Sequence, residues 1–373
     1  MGRHTDEADN QQMSARRVLL APVESAGVAG AIRDGLRARG VQADLWTITP
    51  HPFVETEDRL LTGYLARARA GLIAPLRYDV LHFQFGTTLL EFVDAAWGKL
   101  AGRPLMVMHY WGSDCRPRIA AGLRPIGAPA EWEDQQRAYE RMLRRRLRLA
   151  SRLCAAAIVS DLELASYVKP WFKTVYVVPT PITLPLLPGP SLPALSGEGP
   201  VVVHAPSNQL IKGTKTIEAA IAAVAATRPL RPVFVSGVRH EQVLAEIARA
   251  DIVIDQLNSL TTGILALEAM ALGKPVLSQY DPSMLAPWAR STPVVAVTAQ
   301  TLQAQLAALC DDPQRRASLA SQGPGFVRSL HGADVVAGLL ESVYADKGRA
   351  AGVFDVTADG IKALDEPIGS LVE

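Results

Sequence analysis

The sequence predicts an α/β protein made of two doubly wound, Rossmann-like domains facing each other across a cleft. Three observations carry that prediction. Short apolar runs alternate with amphipathic stretches along most of the chain. One segment dense in proline and glycine interrupts the alternation near the middle, and the alternation then resumes. Strand and helix in alternation imply a parallel sheet covered on both faces. A chain of 373 residues is also too long for one ordinary core and comfortable for two.

Residues 1–15 are polar and are expected to be a disordered leader. The first apolar run, Arg17 to Ala21, reads as a strand ending in a turn that carries Gly27 and Gly30. Ile32 and Leu36, four apart, mark the helix that follows, and Gly40 stops it. Further strands are expected at 45–48, 80–83, 105–109, 155–159 and 175–178, with helical stretches separating most of them. From Leu184 to Pro200 the chain reads LPLLPGPSLPALSGEGP, a composition that holds neither a helix nor a central strand, so it is a linker. Strands resume at 201–204, 233–235, 252–254 and 275–277, and helices at about 216–226, 241–249, 263–272, 301–310 and 333–344. The expected divisions are an N-terminal Rossmann-like domain over 16–183, the linker over 184–200 and a C-terminal Rossmann-like domain over 201–330. A helix over 331–346 is expected to pack back on the N-terminal domain, followed by a tail over 347–373.

Composition removes several functional classes. The formal net charge is +1, so no global field favours nucleic acid. Three scattered cysteines, Cys115, Cys154 and Cys310, give neither a disulfide framework nor metal-ligand spacing. No D-x-D and no histidine cluster is visible, so no metal site is expected. No cofactor is expected beyond a co-substrate. The first 17 residues lack the apolar centre of a signal peptide, and no apolar run is long enough to span a bilayer. A cytoplasmic protein is therefore expected.

The strongest local signal is His204-Ala205-Pro206-Ser207-Asn208-Gln209-Leu210-Ile211-Lys212-Gly213-Thr214, which leaves a strand, turns and opens a helix. Backbone N–H groups at a helix start bind anions, Lys212 adds a point charge, and Gly213 lets a phosphate approach the backbone. An ordinary turn with a solvated lysine is the plain alternative. The second signal runs from Ala250 through Thr261-Thr262-Gly263 to LEAMALGKPV at 267–276. Here Glu268 lies among Leu267, Ala269 and Met270, where a carboxylate needs a partner or a ligand. A ribose diol would serve, since an ionised carboxylate accepts two hydrogen bonds.

Taken together these segments resemble the C-terminal domain of the retaining glycosyltransferases of family four, which have the GT-B fold. Members show a K-G after the first strand of this domain and an E-x7-E ending in E-A-M-A-x-G-x-P-V. Upstream, Val80-Leu81-His82-Phe83-Gln84-Phe85-Gly86 and His109-Tyr110-Trp111-Gly112-Ser113-Asp114-Cys115-Arg116 are similar to the family's H-F-x-F-G and H-x-H-G-S-D-x-R. The similarity spans roughly 16–345. It implies a nucleotide-diphosphate sugar as donor, retention of configuration, and an acceptor that is a saccharide, a lipid or a small metabolite. It further implies that Lys212 and Gly213 meet the diphosphate and Glu268 the ribose. The backbone at Thr262, Gly263 and Ile264 would meet the distal phosphate. Gly27 and Gly30 would leave room for the donor, and His109 would face the transferred sugar. Ser113, Asp114, Arg116, Asn208 and Gln209 complete the candidate set. The chain departs from the family pattern at three positions. Leu260 stands where members have the first glutamate, Gln209 is the nearest polar replacement for an arginine before the K-G lysine, and Trp111 replaces a histidine.

Three other readings compete: a nucleotide-sugar-binding protein with weak or lost turnover, suggested by Leu260 and Gln209; a nucleotide-sugar epimerase of the same fold; and a dinucleotide oxidoreductase, which the absence of G-x-G-x-x-G after the first strand disfavours. Finally, Arg141, Arg145, Arg148 and Arg152 recur at helical spacing. The plain reading is a solvated helix face. The sharper one is a weak contact with anionic lipid at the inner membrane face.

Overall fold

The computed structural model describes residues 16–52, 56–125, 127–183 and 199–364. The expected leader over 1–15 and nearly all of the expected linker lie outside the described residues. Two compact units result: 1–121 with 133–183 and 333–373, and 122–132 with 184–332.

The strands of the first unit are β1 (Arg17–Ala21), β2 (Gln42–Thr47), β3 (Arg59–Leu60), β4 (Val80–Gln84), β5 (Leu105–His109), β6 (Ala156–Val159) and β7 (Thr174–Val177). The second unit holds β8 (Val201–His204), β9 (Arg231–Phe234), β10 (Ile252–Ile254), β11 (Val276–Ser278) and β12 (Val295–Ala296). The chain then returns to the first unit for β13 (Gly352–Thr357) and β14 (Gly360–Ala363).

The first sheet has nine strands in the order β14-β13-β7-β6-β5-β4-β1-β2-β3, all parallel except the β13–β14 hairpin. The strand order reverses between β1 and β4, which pair through Leu20↔His82 and Ala21↔Phe83. Ligands of such sheets sit beyond the carboxyl ends of the strands, at the reversal point. The run VLHFQ of β4 is buried throughout, as a central parallel strand must be. The second sheet has five parallel strands in the order β12-β11-β10-β8-β9, and it reverses between β8 and β10. Its core gathers Val202, Ile217, Ile252, Ile254, Leu277 and Leu306. Pro232 lies in β9, at the sheet edge where a missing N–H costs no ladder bond.

The helix Ala333–Asp346 lies in the first unit, packed along the helix Val28–Ala38. Gly35 makes that approach feasible, because a Cβ there would sit 2.1 Å from the carbonyl oxygen of Ala333. Within the expected tail over 347–373, residues 352–363 form the hairpin that extends the first sheet. Its signal is short: Val353, Phe354 and Val356 beside Gly352 and Gly360. The helix Pro313–His331, with Pro324 inside it, also lacks a clear sequence signal.

Candidate functional site

In the second unit, Lys212, Asp255 and Gly263 meet at the carboxyl edge of β8 and β10. His204 closes β8 and ties the edge together, its ring nitrogens pairing with the Ile254 carbonyl at 2.9 Å and the Thr214 hydroxyl at 3.0 Å. Asn208 caps the short helix Gln209–Lys212 by accepting from the Ile211 N–H at 3.0 Å. Gly213 then turns the chain through φ 75°, into the helix Thr214–Ala225. That turn directs Lys212 Nζ to Asp255 Oδ1 at 2.7 Å and to Gln256 Oε1 at 2.8 Å. Asp255 is fully buried, and its other oxygen accepts from the Gly263 N–H at 2.9 Å. A Cβ on Gly263 would lie 2.7 Å from Asp255 Oδ2 and 2.8 Å from Lys212 Nζ, so only glycine lets the three groups close up. Gly263 caps the helix Ile264–Ala271, and the N–H groups of Ile264 and Leu265 that follow have no intrahelical acceptor. Thr262 is half-buried beside them. Gln209 is exposed at the start of its helix.

Glu268 lies in the same helix and is 8% exposed. The need for a partner, legible in its apolar neighbours, is met by His240, whose Nε2 is 2.7 Å from Oε1. The hydrogen bond to Glu268 raises the His240 pKa above its ordinary value, against the lowering effect of burial. The other Glu268 oxygen makes no hydrogen bond among the described residues. His240 opens the helix His240–Arg249, far from Glu268 in sequence, so no local pattern could reveal it.

In the first unit, Gly27 caps the helix Val28–Ala38 at φ 83°, a left-handed conformation that favours glycine. The N–H groups at this helix start are met from within the chain. The buried Glu24 carboxylate accepts from Ala29 N at 3.3 Å, Gly30 N at 2.9 Å and the Thr56 hydroxyl at 2.7 Å. A Cβ on Gly30 would lie 2.7 Å from Thr56 Cβ, so the space left by this glycine is filled by Thr56.

His82 and Gln84 share a face of β4, and Gln84 pairs in register with His109 at the end of β5. His109 is fully buried, and the Trp111 ring stacks on it at 3.7 Å between centroids. The Trp111 indole N–H donates to Gln84 Oε1 at 2.8 Å. Asp114 holds the turn that follows by accepting from Trp111 N at 3.0 Å and Gly112 N at 2.8 Å. Burial pushes its carboxyl pKa up to about 6 even so. The Ser113 carbonyl accepts from Tyr139 at 3.0 Å. Arg116 forks onto Glu163, with Nε–Oε1 at 2.6 Å and Nη2–Oε2 at 2.9 Å, so its guanidinium is already committed.

The candidates thus gather into two groups, each at the carboxyl edge of its own sheet. Glu24, Thr56, His240 and Asp255 join them as partners that local motifs do not single out, and His82, the histidine of the H-F-x-F-G-like run, joins them as well. Cys115, Cys154 and Cys310 are free thiols. Among the described residues no three His, Cys, Asp or Glu side chains converge as metal ligands. Arg141, Arg145, Arg148 and Arg152 are exposed on the helix Trp132–Leu153, and Arg148 lies over the Trp171 ring. No helix among the described residues is long and apolar enough to cross a membrane.

No family model matches the chain, and no curated protein matches it in sequence. Solved structures match its fold. A sucrose-phosphate synthase from Thermosynechococcus elongatus superposes with a TM-score of 0.61 at 16% identity, covering 88% of this chain and 98% of its own. WaaG, a glycosyltransferase involved in lipopolysaccharide biosynthesis, gives 0.60 at 11% identity, covering 88% and 99%. A protein assigned as a UDP-N-acetylglucosamine 2-epimerase from Listeria monocytogenes gives 0.52 at 10% identity, covering 89% and 96%. With its two parallel-sheet α/β units, this chain has the GT-B fold of these glycosyltransferases.

Proposed function

We propose that the chain is a glycosyltransferase that moves a sugar from a nucleotide-diphosphate donor to an acceptor, with retention and without a metal ion. The observation that carries this reading is the cluster of Lys212 and the helix start at Gly263 on the reversal edge of the second sheet, with Glu268 one helical turn further on. A diphosphate would draw on the Lys212 ammonium and on the N–H groups of Ile264 and Leu265, which have no partner among the described residues. The unpaired Glu268 oxygen would accept from a ribose hydroxyl. In the transfer step the bond from the sugar anomeric carbon to the diphosphate oxygen breaks. The acceptor oxygen bonds that carbon on the same face, and the acceptor proton leaves on the diphosphate. Negative charge then grows where Lys212 and the helix start stabilise it. The exposed arginines at 141, 145, 148 and 152 fit an anionic surface, so an acceptor presented at a lipid headgroup layer belongs to the same proposal.

Nucleotide release from UDP-, GDP-, ADP- and dTDP-sugars, measured with and without EDTA, tests the reading. Acceptor-dependent release that EDTA does not suppress is expected. Activity abolished by EDTA and restored by Mg²⁺ or Mn²⁺ would overturn the metal-free assignment. Binding without release would favour a nucleotide-sugar-binding protein. The epimerase-like neighbour favours a second reading, whose signature is conversion of the sugar without any acceptor.

Glu268→Gln is expected to fold normally and to weaken ribonucleoside diphosphates by about 1–3 kcal/mol, with little effect on inorganic diphosphate. The glutamine oxygen can still accept from His240, but the amide N–H₂ stands where the ribose acceptor should be. Losing the charged partner should also let the His240 pKa fall, which a proton NMR titration reads directly. Unchanged affinity with intact folding would remove Glu268 from the ribose site.

A further inference from the structure

We infer that Tyr344, on the helix Ala333–Asp346, is a positioning residue that acts through His82 to hold His109 as a hydrogen-bond donor at Nε2. The three side chains form one buried line within the first unit. The Tyr344 hydroxyl lies 2.6 Å from His82 Nδ1, and His82 Nε2 lies 3.1 Å from His109 Nδ1. All three side chains are fully shielded from solvent. His109 Nε2 is buried and has no partner among the described residues. Burial lowers the pKa of both imidazoles, His82 to about 3 and His109 well below the ordinary value, so both rings are neutral and each carries one proton.

Two directions are available to such a line, and counting unsatisfied groups separates them. If Tyr344 donates to His82 Nδ1, then His82 Nε2–H donates to His109 Nδ1 and the His109 proton sits on Nε2. One buried group, that N–H, is then left over. If the line runs the other way, His109 Nδ1–H donates to His82 Nε2 and His82 Nδ1–H to the tyrosine oxygen. The Tyr344 O–H then has no acceptor among the described residues, and His109 Nε2 is a bare lone pair. Two buried groups are left over. Each direction leaves one buried donor unpaired, and the second strands the Nε2 lone pair as well, so the first direction holds. In that tautomer His109 Nε2 can donate a hydrogen bond and cannot serve as a base. The use of that proton on the transferred sugar rests on the transferase reading above; the tautomer itself does not.

Long-range ¹H–¹⁵N correlation on protein with labelled histidine, at neutral pH, reads the tautomer of each ring. The His109 signals are assigned by their loss in a His109→Gln variant. In the wild-type chain His109 is expected to show a single Nε2–H tautomer, and an Nδ1–H or doubly protonated ring overturns the inference without any variant. In Tyr344→Phe both directions leave two groups unpaired, so the two tautomers are expected in comparable amounts. A pure Nε2–H ring in folded Tyr344→Phe overturns the role of the hydroxyl. Nucleoside diphosphate binding should be unchanged in Tyr344→Phe, because it reports on the Lys212 cluster of the other unit. Failure of that binding in the wild-type chain counts against the transferase reading and leaves the tautomer result standing.

Discussion

Lys212→Ala is expected to destabilise the second unit by about 3–5 kcal/mol, measured by urea unfolding, before any ligand is considered. The reason lies in its partner. Asp255 is fully buried, and its carboxylate is held by the ammonium at 2.7 Å and the Gly263 N–H at 2.9 Å. Removing the ammonium leaves a buried negative charge with one backbone donor, and breaking a buried pair from one side is far costlier than replacing both members. A loss of that size is a large share of the roughly 5–15 kcal/mol that holds a typical domain together. Adding Asp255→Asn should restore much of the stability, because the charge is gone and the amide oxygen still accepts from Gly263. A Lys212→Ala protein within about 1 kcal/mol of wild type would mean that the pair contributes no more than an exposed one. The same geometry changes how ligand binding must be read. Lys212 serves a diphosphate only by sharing its charge with Asp255, so the double variant, folded and without the ammonium, is the proper measure of its contribution to binding.

The strand ladder was legible because a buried parallel strand leaves a continuous apolar run that needs no tertiary information. Val201–His204 and Ile252–Ile254 match the expected bounds to the residue. The strands missed are those whose pairing, not composition, defines them. Arg59–Leu60 is exposed and exists only by pairing with Trp46 and Thr47. Gly352–Thr357 becomes a strand by lying along β7, and its sequence carries only a short apolar alternation.

Site residues divide in the same way. Lys212, Gly263 and Glu268 are legible as candidates because each sits in a strand–turn–helix segment. Their partners are not. Nothing within a few residues of His240 says that it meets Glu268, 28 positions away. Nothing near His82 points to Tyr344, 262 positions on. Gly30 is the sharper lesson: the resemblance implies that it leaves room for a donor, and the atoms nearest a Cβ there belong to Thr56. A glycine announces a close approach but not what approaches.

Arg116→Ala is expected to cost about 3–5 kcal/mol of stability in the first unit, and no nucleoside diphosphate affinity in protein that remains folded. In the sequence this arginine is one of the candidate site residues, the last of the run resembling H-x-H-G-S-D-x-R. In the structure it is half of a buried ion pair whose carboxylate, Glu163, has a side chain 0% exposed against 12% for the arginine. Both guanidinium contacts are in place, at 2.6 and 2.9 Å, and the Tyr167 hydroxyl donates to the same carboxylate at 3.2 Å. Burial would lower the Arg116 pKa, and the Glu163 charge overrides that and holds it above its ordinary value. Truncation therefore strands a buried carboxylate with one neutral donor. Arg116→Lys should recover only part of the loss, because an ammonium cannot make the two parallel bonds of the fork. Arg116→Met combined with Glu163→Gln should recover more, since neither charge is then buried alone. Denaturant unfolding of the four proteins, wild type included, gives the stability order. Calorimetric titration of the folded ones with a nucleoside diphosphate gives the binding. If Arg116→Ala instead keeps wild-type stability and loses diphosphate affinity, the arginine is a ligand contact that turns away from Glu163 when the donor arrives.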